Sequence, residues 1–362
     1  MLIVLVLNAG SSSLKFALFD GEEALARGSV DRLGERRDHA AEVDEVLRRL
    51  PEGARPEAVG HRVVHGGDRF QTPVRITPSV LGELEALVPL APLHEPHNLG
   101  PVHALAERQP ELPQVACFDT AFHALMPRLE RLLPLPRAYF EKGVKRYGFH
   151  GLSYEYVASR LPELDRRAAE GRTVVCHLGS GASMCALLAG QSIATTMSFT
   201  ALDGLMMGTR CGALDPGAVL YLQQTEGLDA EAVSDLLYKR SGLLGVSGLT
   251  SDMRDLLSSS DPNAREAVEL FCHRVARELG SLAAALEGLD ALVFTGGIGA
   301  HAVPVRARIC QKAAWLGIAI DAEANAASRT VLHTAESAVS VLVVPTDEER
   351  MIARHVRSVL GS

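Results

Sequence analysis

The chain has 362 residues, enough for two domains, and its 47% hydrophobic and 22% charged residues are ordinary proportions for a soluble globular protein. Its 36 basic and 44 acidic residues give a net charge of −8, which argues against general binding to nucleic acid or to an anionic membrane surface. No apolar run reaches the length of a membrane span, and the six scattered cysteines lack paired spacing, so we expect a cytoplasmic protein without disulfides or a zinc site.

The first twenty residues predict two strands joined by a polar turn. The apolar run 2–7 is typical of a buried strand, and it lacks the basic leader and cleavage site of a signal peptide. After the small polar turn at 8–13, residues 14–19 predict the return strand. Such a turn gathers backbone N–H groups and hydroxyls, which suits a phosphate, and Asn8 and Lys15 add an amide oxygen and a positive charge. A simple hairpin turn remains the alternative at this point, and no Walker pattern is present.

Two further strands carry or precede charged residues. Residues 58–67 predict a strand ending in a glycine pair, with Arg62 inside it, where an unpaired guanidinium would be costly. Arg62 either pairs with a carboxylate or faces an anionic ligand. Asp119 follows the apolar strand 114–118, and it either faces a ligand crevice or caps the next helix. The proline-rich residues 89–98 predict an irregular segment.

The opening pattern returns in the second half of the chain. Residues 172–183 again run from a strand into a Gly/Ser turn, and residues 184–190 predict the return strand. Two such hairpins far apart in the chain indicate an internal duplication. The duplication favours the phosphate interpretation, because two turns of this kind can hold one polyphosphate. Residues 124–149, between the two copies, predict a linker or a change of domain.

Later stretches add residues of the kind that bind anions and nucleotides. Arg210 lies in a glycine-dense stretch, well placed for bidentate contacts with an oxyanion. An apolar strand leads into the glycine motif 296–299, which lets the backbone approach a ring or a phosphate closely. Thr346 and Glu349 have capping-box spacing before the last helix, so Glu348 either serves the helix end or binds a ligand.

Taken in chain order, these motifs resemble those of the acetate kinase family. The resemblance runs from the first residues to the C-terminal helix, and several of its motifs are long enough to be specific. The matching segments are residues 8–16, 61–67, 118–123, 147–151, 177–179, 207–210 and 294–299.

The resemblance implies an α/β fold of two duplicated ribonuclease H-like domains, of the actin and hexokinase type, with mixed sheets and an inter-domain cleft. Residues 1–122 together with 349–362 would form a lobe for the acyl group and phosphate, with the last helix packing back on it. Residues 123–348 would form a lobe that binds the nucleotide and makes a homodimer.

The implied reaction is the reversible transfer of the γ-phosphoryl group of ATP to acetate, giving acetyl phosphate and ADP, with Mg²⁺ or alternatively Mn²⁺. The implied catalytic residues are Asp119, Arg62, Arg210 and His150. The implied substrate-binding residues are Arg62, Val64, Leu93, Phe149 and Arg210. The implied metal ligands are Asn8 and Glu348. The implied nucleotide-binding residues are Ser13, Lys15, His177, Gly179, Ser180, Gly181, Ala182, Asp252, Met253, Arg254, Gly297, Ile298, Gly299, Ala300 and His301.

Physical chemistry agrees with these roles. Phosphoryl transfer depends on positioning and on positive charge around a highly charged transition state. The two arginines would offset the repulsion between an anionic acid and an anionic phosphate. A carboxylate has a pKa of about 4 and needs no deprotonation at neutral pH, so we expect Asp119 to orient groups and contact metal-bound water rather than accept a proton.

Some positions depart from the family pattern, and they leave other functions open. Ser180 replaces an asparagine near the phosphates, and Ala300 and His301 replace a Glu-Asn pair near the base or ribose. Ala201 replaces a proline beside the acyl pocket, which leaves more room, so a propionate or butyrate kinase is the alternative. A nucleotide-binding sensor or ATPase on the same fold, without transfer to an acid, is the alternative from another class.

Overall fold

The computed structural model describes residues 2–10, 13–31, 38–91 and 94–361. Its internal contacts divide the chain into two units. Unit 1 comprises Met1–Ala124, His150–Tyr156 and Asp347–Ser362, and unit 2 comprises Leu125–Phe149 and Val157–Thr346. Each unit is built around one mixed sheet.

The strands are β1 (Ile3–Ala9), β2 (Ser13–Asp20), β3 (Glu23–Asp31), β4 (Ala58–Val63), β5 (Val74–Arg75), β6 (Gln114–Phe118), β7 (Arg172–Leu178), β8 (Ala182–Leu188), β9 (Gln191–Thr195), β10 (Ala291–Thr295) and β11 (Ser340–Val343).

The helices are α1 (His39–Arg48), α2 (Pro78–Glu85), α3 (Glu95–Arg108), α4 (Arg128–Arg131), α5 (Arg137–Glu141), α6 (Gly151–Leu164), α7 (Arg166–Glu170), α8 (Pro216–Gln224), α9 (Ala230–Lys239), α10 (Gly242–Ser247), α11 (Met253–Ser258), α12 (Pro262–Ala285), α13 (Gly296–His301), α14 (Val303–Lys312), α15 (Ala322–Ala326) and α16 (Glu348–Leu360). Short 3₁₀ turns occupy Val88–Leu90, Ala121–His123 and Ala314–Leu316.

The sheet of unit 1 has the strand order β3-β2-β1-β4-β6-β5. β1, β2 and β3 form an antiparallel meander, whereas β4 is parallel to β1 and β6 is parallel to β4. The short edge strand β5 runs antiparallel to β6. The parallel strands β1, β4 and β6 therefore present their carboxyl ends at one edge, where ligands bind in sheets of this class.

Both faces of β1 are covered, which explains its unbroken apolar sequence. Val4 lies in a core with Ile352 of α16, whereas the next residue, Leu5, lies in the opposite core with Val43 of α1. This alternation is the period of two that a strand imposes. α16 approaches the sheet so closely that a Cβ added at Gly60 would lie 2.5 Å from Ile352 Cγ2.

The sheet of unit 2 has the strand order β11-β10-β7-β8-β9. β7, β8 and β9 form an antiparallel meander, while β10 is parallel to β7 and β11 is parallel to β10. This is the same sequence of directions as in unit 1, so the predicted α/β fold with two mixed sheets and the predicted duplication are confirmed. No helix in the described part of the chain is both long and apolar enough to cross a bilayer.

The prediction that residues 89–98 are irregular is wrong for the end of that segment. α3 begins at Glu95 and carries Pro96 in its first turn. Proline is tolerated there because the first N–H groups of a helix have no partner within it. The segment 124–149, predicted as a linker or a change of domain, carries the short helices α4 and α5, and from Leu125 onwards it belongs to unit 2.

Candidate active site

Three predicted site residues meet at the carboxyl edge of the unit 1 sheet. Asn8 lies near the end of β1, Arg62 near the end of β4, and Asp119 directly after β6. The Arg62 guanidinium donates from Nη2 to Asp119 Oδ2 at 2.5 Å and from Nε to Oδ2 and Oδ1 at 3.1 and 3.2 Å. Arg62 Nη1 also donates to Asn8 Oδ1 at 3.4 Å.

The sequence left open whether Arg62 pairs with a carboxylate or faces an anion, and whether Asp119 faces a ligand or caps a helix. Arg62 does pair with a carboxylate, yet its side chain keeps 18% exposure, so its outer edge can still meet an anion. Asp119 directs its side chain to Arg62, and the N-cap of the following 3₁₀ turn is Thr120. Burial lowers the pKa of Arg62, but the charges of Asp119 and Glu348 outweigh burial and leave that pKa above its usual value.

Glu348 stands close enough to Arg62 and Asp119 for their charges to act on it. Burial raises the pKa of the Glu348 carboxyl to about 7, against the opposing pull of the Arg62 charge. The N-cap of α16 is Asp347, which accepts from the Arg350 N–H at 3.0 Å, so the predicted capping box with Thr346 is wrong. Asn8 Nδ2 donates to Glu349 Oε1 at 3.2 Å. The helix-cap role thus falls to Asp347 rather than to Glu348.

Other predicted residues of unit 1 lie along the same edge. The backbone N–H of Val64 donates to Asn98 Oδ1 at 2.9 Å, which fixes the chain just after β4. His150 has a left-handed backbone, φ 59°, and the N–H of the next residue, Gly151, donates to Asp119 O at 2.9 Å. A Cβ at Gly151 would lie 2.2 Å from that same oxygen, so glycine is required for this close approach.

The β1–β2 turn and the acyl-pocket residues are described only in part. Lys15 pairs with Asn8 in the register of β1 and β2, and Ser13 begins β2. Phe149 is buried and belongs to unit 2. Leu93, predicted for the acyl pocket, lies outside the described residues.

The predicted nucleotide-binding residues of unit 2 gather where β7 and β10 end. His177 pairs with Thr295 in the parallel register of these strands, and α13 starts directly after Thr295. The turn after β7 closes with a bond from Gly179 N to Gly181 O at 3.0 Å. Gly208 N donates to Ser180 O at 3.0 Å, which ties the glycine-dense stretch to this turn. Gly297 and its neighbours to His301 form α13.

Two predicted ligand residues also serve the local structure. Arg210 Nη1 donates to Ala201 O at 2.6 Å. Asp252 is the N-cap of α11, where it accepts from the Arg254 N–H at 2.8 Å and pairs with the Arg254 side chain at 2.6 Å. The side chain of Arg254 is 89% exposed, so it remains accessible to a ligand.

Sequence reasoning missed a buried arginine that supports α13. Arg306 is fully buried and donates from Nη1 to Gly299 O at 3.0 Å and to Ala300 O at 2.8 Å. Its Nε donates to Asn325 Oδ1 at 2.8 Å, and its Nη2 donates to Asn325 O and Ser328 Oγ at 3.0 Å each. The guanidinium thus holds the carbonyls of the glycine motif in place. Arg308 lies two residues away in the same helix, and nothing in the sequence indicated that Arg306 would be buried.

Sequence reasoning also missed three buried ionisable groups in unit 1. Burial lowers the pKa of His61 to about 4, although its ring meets Gln114 Oε1 at 2.7 Å, and burial lowers the pKa of His65 to about 4 as well. Glu95 is completely buried, and burial raises its pKa to about 8. A histidine in an apolar strand, such as His61, is only a weak indication of burial. Glu95, in a proline-rich segment, gave no indication that it is buried.

Comparison with known proteins agrees with the motifs and with the fold. The model of the Acetokinase family matches residues 35–354. The acetate kinase of Rhodopseudomonas palustris is 54% identical over an alignment of 387 positions, which covers 98% of this chain and 97% of that protein. The acetate kinase of Rhizobium meliloti is 49% identical over 388 residues, covering 99% and 98%.

Two solved structures superpose on nearly the whole chain. Porphyromonas gingivalis acetate kinase matches with a TM-score of 0.91 and 38% identity, covering 99% of this chain and 100% of that one. A propionate kinase from Francisella tularensis matches with a TM-score of 0.90 and 36% identity, covering 98% and 99%. The matching family model, the identities and the shared fold lead to one conclusion: this chain belongs to the acetokinase family.

Proposed function

We propose that this protein is an acetate kinase, a phosphotransferase that moves the γ-phosphoryl group of ATP reversibly to acetate and yields acetyl phosphate and ADP. Curated relatives of that name, up to 54% identical over nearly the full length, support the reaction. The observation that carries the proposal is the Arg62–Asp119 pair at the carboxyl edge of the unit 1 sheet. A guanidinium fixed by a buried carboxylate is a preorganised site for a small anion.

In this proposal the residues of unit 1 position the acid. Arg62 binds the carboxylate, and Asp119 holds the guanidinium in one orientation. Val64 is assigned to the pocket for the methyl group, whereas Leu93 and Phe149 stay predictions from the family resemblance. His150, held beside Asp119 by the Gly151 contact, donates to the phosphoryl oxygens. Arg210 provides the second positive charge, which lowers the repulsion between the acid and the phosphate.

The nucleotide is assigned to the ends of β7 and β10 in unit 2. Small residues and backbone N–H groups dominate there: His177, Gly179, Ser180, Gly181, Ala182, Gly297, Ile298, Gly299, Ala300 and His301. Asp252 caps α11, which begins with Met253 and Arg254. Ser13 and Lys15, at the start of β2, stay predictions for the terminal phosphates. Glycines let the backbone approach a phosphate closely, as expected for this type of site.

The oxygen donors of unit 1 fit a magnesium ion that arrives with its nucleotide. Among the described residues no group of three or more His, Cys, Asp or Glu side chains could hold a metal alone. Mg²⁺ needs no such cage, because it keeps several waters and uses one or two carboxylates together with substrate phosphates. The half-buried carboxyl of Glu348, whose pKa is raised, and the amide oxygen of Asn8 are the donors we assign. When bound, the ion would neutralise phosphate charge.

We also propose a cytoplasmic homodimer. None of the six cysteines forms a disulfide, as in a reducing compartment. α8 has an apolar sequence, yet none of its residues is buried, and Leu220 and Tyr221 are about half exposed. An exposed apolar helix of this kind marks an interaction surface, and a second copy of the chain is the occupant we assign.

A propionate kinase is the second candidate. The small residue Ala201 lies beside Arg210, because its carbonyl oxygen accepts a hydrogen bond from Arg210 Nη1. In addition, a solved propionate kinase matches the chain about as well as the acetate kinases do. One methylene changes discrimination by only about 1–3 kcal/mol, so the two acids are compared directly.

The test is an acid panel with Mg-ATP in which hydroxylamine traps the acyl phosphate. We expect trapped product with acetate, and a higher kcat/KM for acetate than for propionate or butyrate. A higher value for propionate would replace the assignment by the second candidate. ATP hydrolysis without trapped product from any acid would show a non-transferring ATPase or sensor and overturn the proposal.

A further inference from the structure

Glu95 is a buried acid whose carboxyl group makes no ordinary hydrogen bond. It is the first residue of α3, and its side chain is 0% exposed. Neither carboxyl oxygen has a hydrogen-bond partner of normal geometry among the described residues. Burying an ionised carboxylate in that way is costly, so such a group usually has a role or takes up a proton.

The position of Glu95 in α3 directs it toward the candidate active site. Asn98, one helical turn later, lies on the same face of α3. Its Oδ1 accepts from Val64 N at 2.9 Å, and its Nδ2 donates to Ala9 O at 2.9 Å. That face therefore packs on the carboxyl ends of β1 and β4, the edge that carries Arg62.

The charges around Glu95 favour its neutral form. Burial raises its pKa to about 8, the backbone N–H of His65 opposes this rise, and the negative charge of Asp119 adds to it. The His65 ring is itself neutral at pH 7, because burial lowers its pKa to about 4. The other titratable or charged groups on the elements that pack against α3, or beside Asp119, are His39, Glu42, Asp44, Glu45, Arg48, His61, Arg62, Glu83, Glu85 and Glu348.

We propose that Glu95 is a positioning residue for the anionic substrate. While uncharged, it adds no negative charge near the Arg62–Asp119 pair, and its ionisation weakens binding of the substrate carboxylate. The positive charge of Arg62 already interacts with two acidic residues, Asp119 and Glu348. A further negative charge at Glu95 would reduce the positive potential that an incoming acid meets at Arg62. This inference rests on the proposed function, because it concerns the same acid-binding site.

The first experiment compares the KM for acetate at pH 7 and pH 9 in the parent and in Glu95→Gln, at saturating Mg-ATP. Glutamine keeps the shape of the neutral acid and cannot ionise. In the parent we expect KM to rise about tenfold over this range, as a group with a pKa of about 8 loses its proton. In Glu95→Gln we expect the ratio of the two KM values to be several-fold smaller than in the parent, with the remainder due to Glu348, whose pKa is about 7.

The control variant is Glu107→Gln, which removes an exposed acid of the same helix. It should keep the parent's pH profile. If Glu95→Gln also keeps that profile, the proposal is overturned. If no acyl phosphate forms in the parent at any pH, the proposed function fails instead, and the second experiment still tests Glu95.

The second experiment needs no activity. An infrared difference spectrum between the parent and Glu95→Gln should show the C=O stretch of a protonated carboxyl at pH 7, and this band should vanish at pH 10. Absence of the band from the parent at pH 7 would overturn the proposal. If Glu95→Gln does not fold, Glu95→Ala takes its place in the difference spectrum, so that the band of Glu348 cancels.

Discussion

Arg62 is the residue on which the candidate site depends most. Its guanidinium joins Asp119 of the neighbouring strand connection and Asn8 of β1, so three strand ends meet at one cation. Removing it would leave Asp119, which is 1% exposed, as a buried charge without its partner. A change at this residue therefore affects both substrate binding and the local fold.

We expect Arg62→Ala to lower kcat/KM for acetate by about a thousandfold, because it removes a preorganised positive charge at the reacting groups. Nucleotide affinity, measured by calorimetry with ADP, should change by less than about threefold, since the nucleotide is assigned to unit 2. Arg69→Ala is the matched control: its side chain is 71% exposed, and it should retain the parent's kcat/KM. Turnover that survives Arg62→Ala would contradict the assignment of the acid to this guanidinium.

At the scale of single elements, α13 depends on a side chain from the next helix. Arg306 on α14 binds the carbonyls of Gly299 and Ala300, which would otherwise be left without these donors at the end of the glycine motif. The guanidinium has no carboxylate among these hydrogen-bond partners, and burial lowers its pKa. Carbonyl and amide oxygens therefore solvate a full positive charge, in an arrangement that allows little movement.

We expect Arg306→Met to reduce the free energy of unfolding by about 3 kcal/mol or more, because it leaves several buried acceptors without a donor. The affinity for ADP should fall as well, since the glycine motif loses its support. Arg308→Met on the same helix is the control, and it should cost less than about 1 kcal/mol because its pair with Glu269 is partly exposed. Urea denaturation measures both variants, and equal losses would contradict the supporting role of Arg306.

The elements with a local signature could be predicted from the sequence. The two hairpins and the strand before the glycine motif follow from hydrophobic runs and turn residues. The start of α3 was missed because the prolines suggested an irregular segment, whereas Pro96 occupies the first turn of the helix. Arg306 and Glu95 could not be recognised, because their burial depends on which other elements pack around them, and a single sequence does not show those contacts.

For the whole molecule, buried groups with opposite pKa shifts determine how stability varies with pH. His61 and His65 have pKa values lowered to about 4, so the unfolded chain binds more protons and stability falls as the pH drops below about 6.5. Glu95 has a raised pKa of about 8, so the folded chain binds more protons between about 4.5 and 8. Stability from this group therefore falls as the pH rises through that range.

We expect Glu95 to account for a loss of about 1.4 kcal/mol in unfolding free energy between pH 7 and pH 9, the value of one pKa unit. Glu95→Gln should remove this part of the decline. Below pH 7 it should also remove the opposing contribution of Glu95, so the acid loss due to His61 and His65 should become steeper. Denaturant titrations across the pH range measure both limbs. An identical alkaline decline in the parent and the variant would mean that Glu95 is already ionised at pH 7.

The discontinuity of unit 1 has a consequence for biosynthesis. The core that covers one face of β1 contains Ile352 and Val356 of α16, which are translated almost 350 residues after the strand they cover. While the nascent chain is still growing, that face of the first sheet has no permanent cover and is open to chaperones or to wrong partners. Unit 2 has all of its residues by Thr346, before α16 has been made, so it can reach its native contacts first.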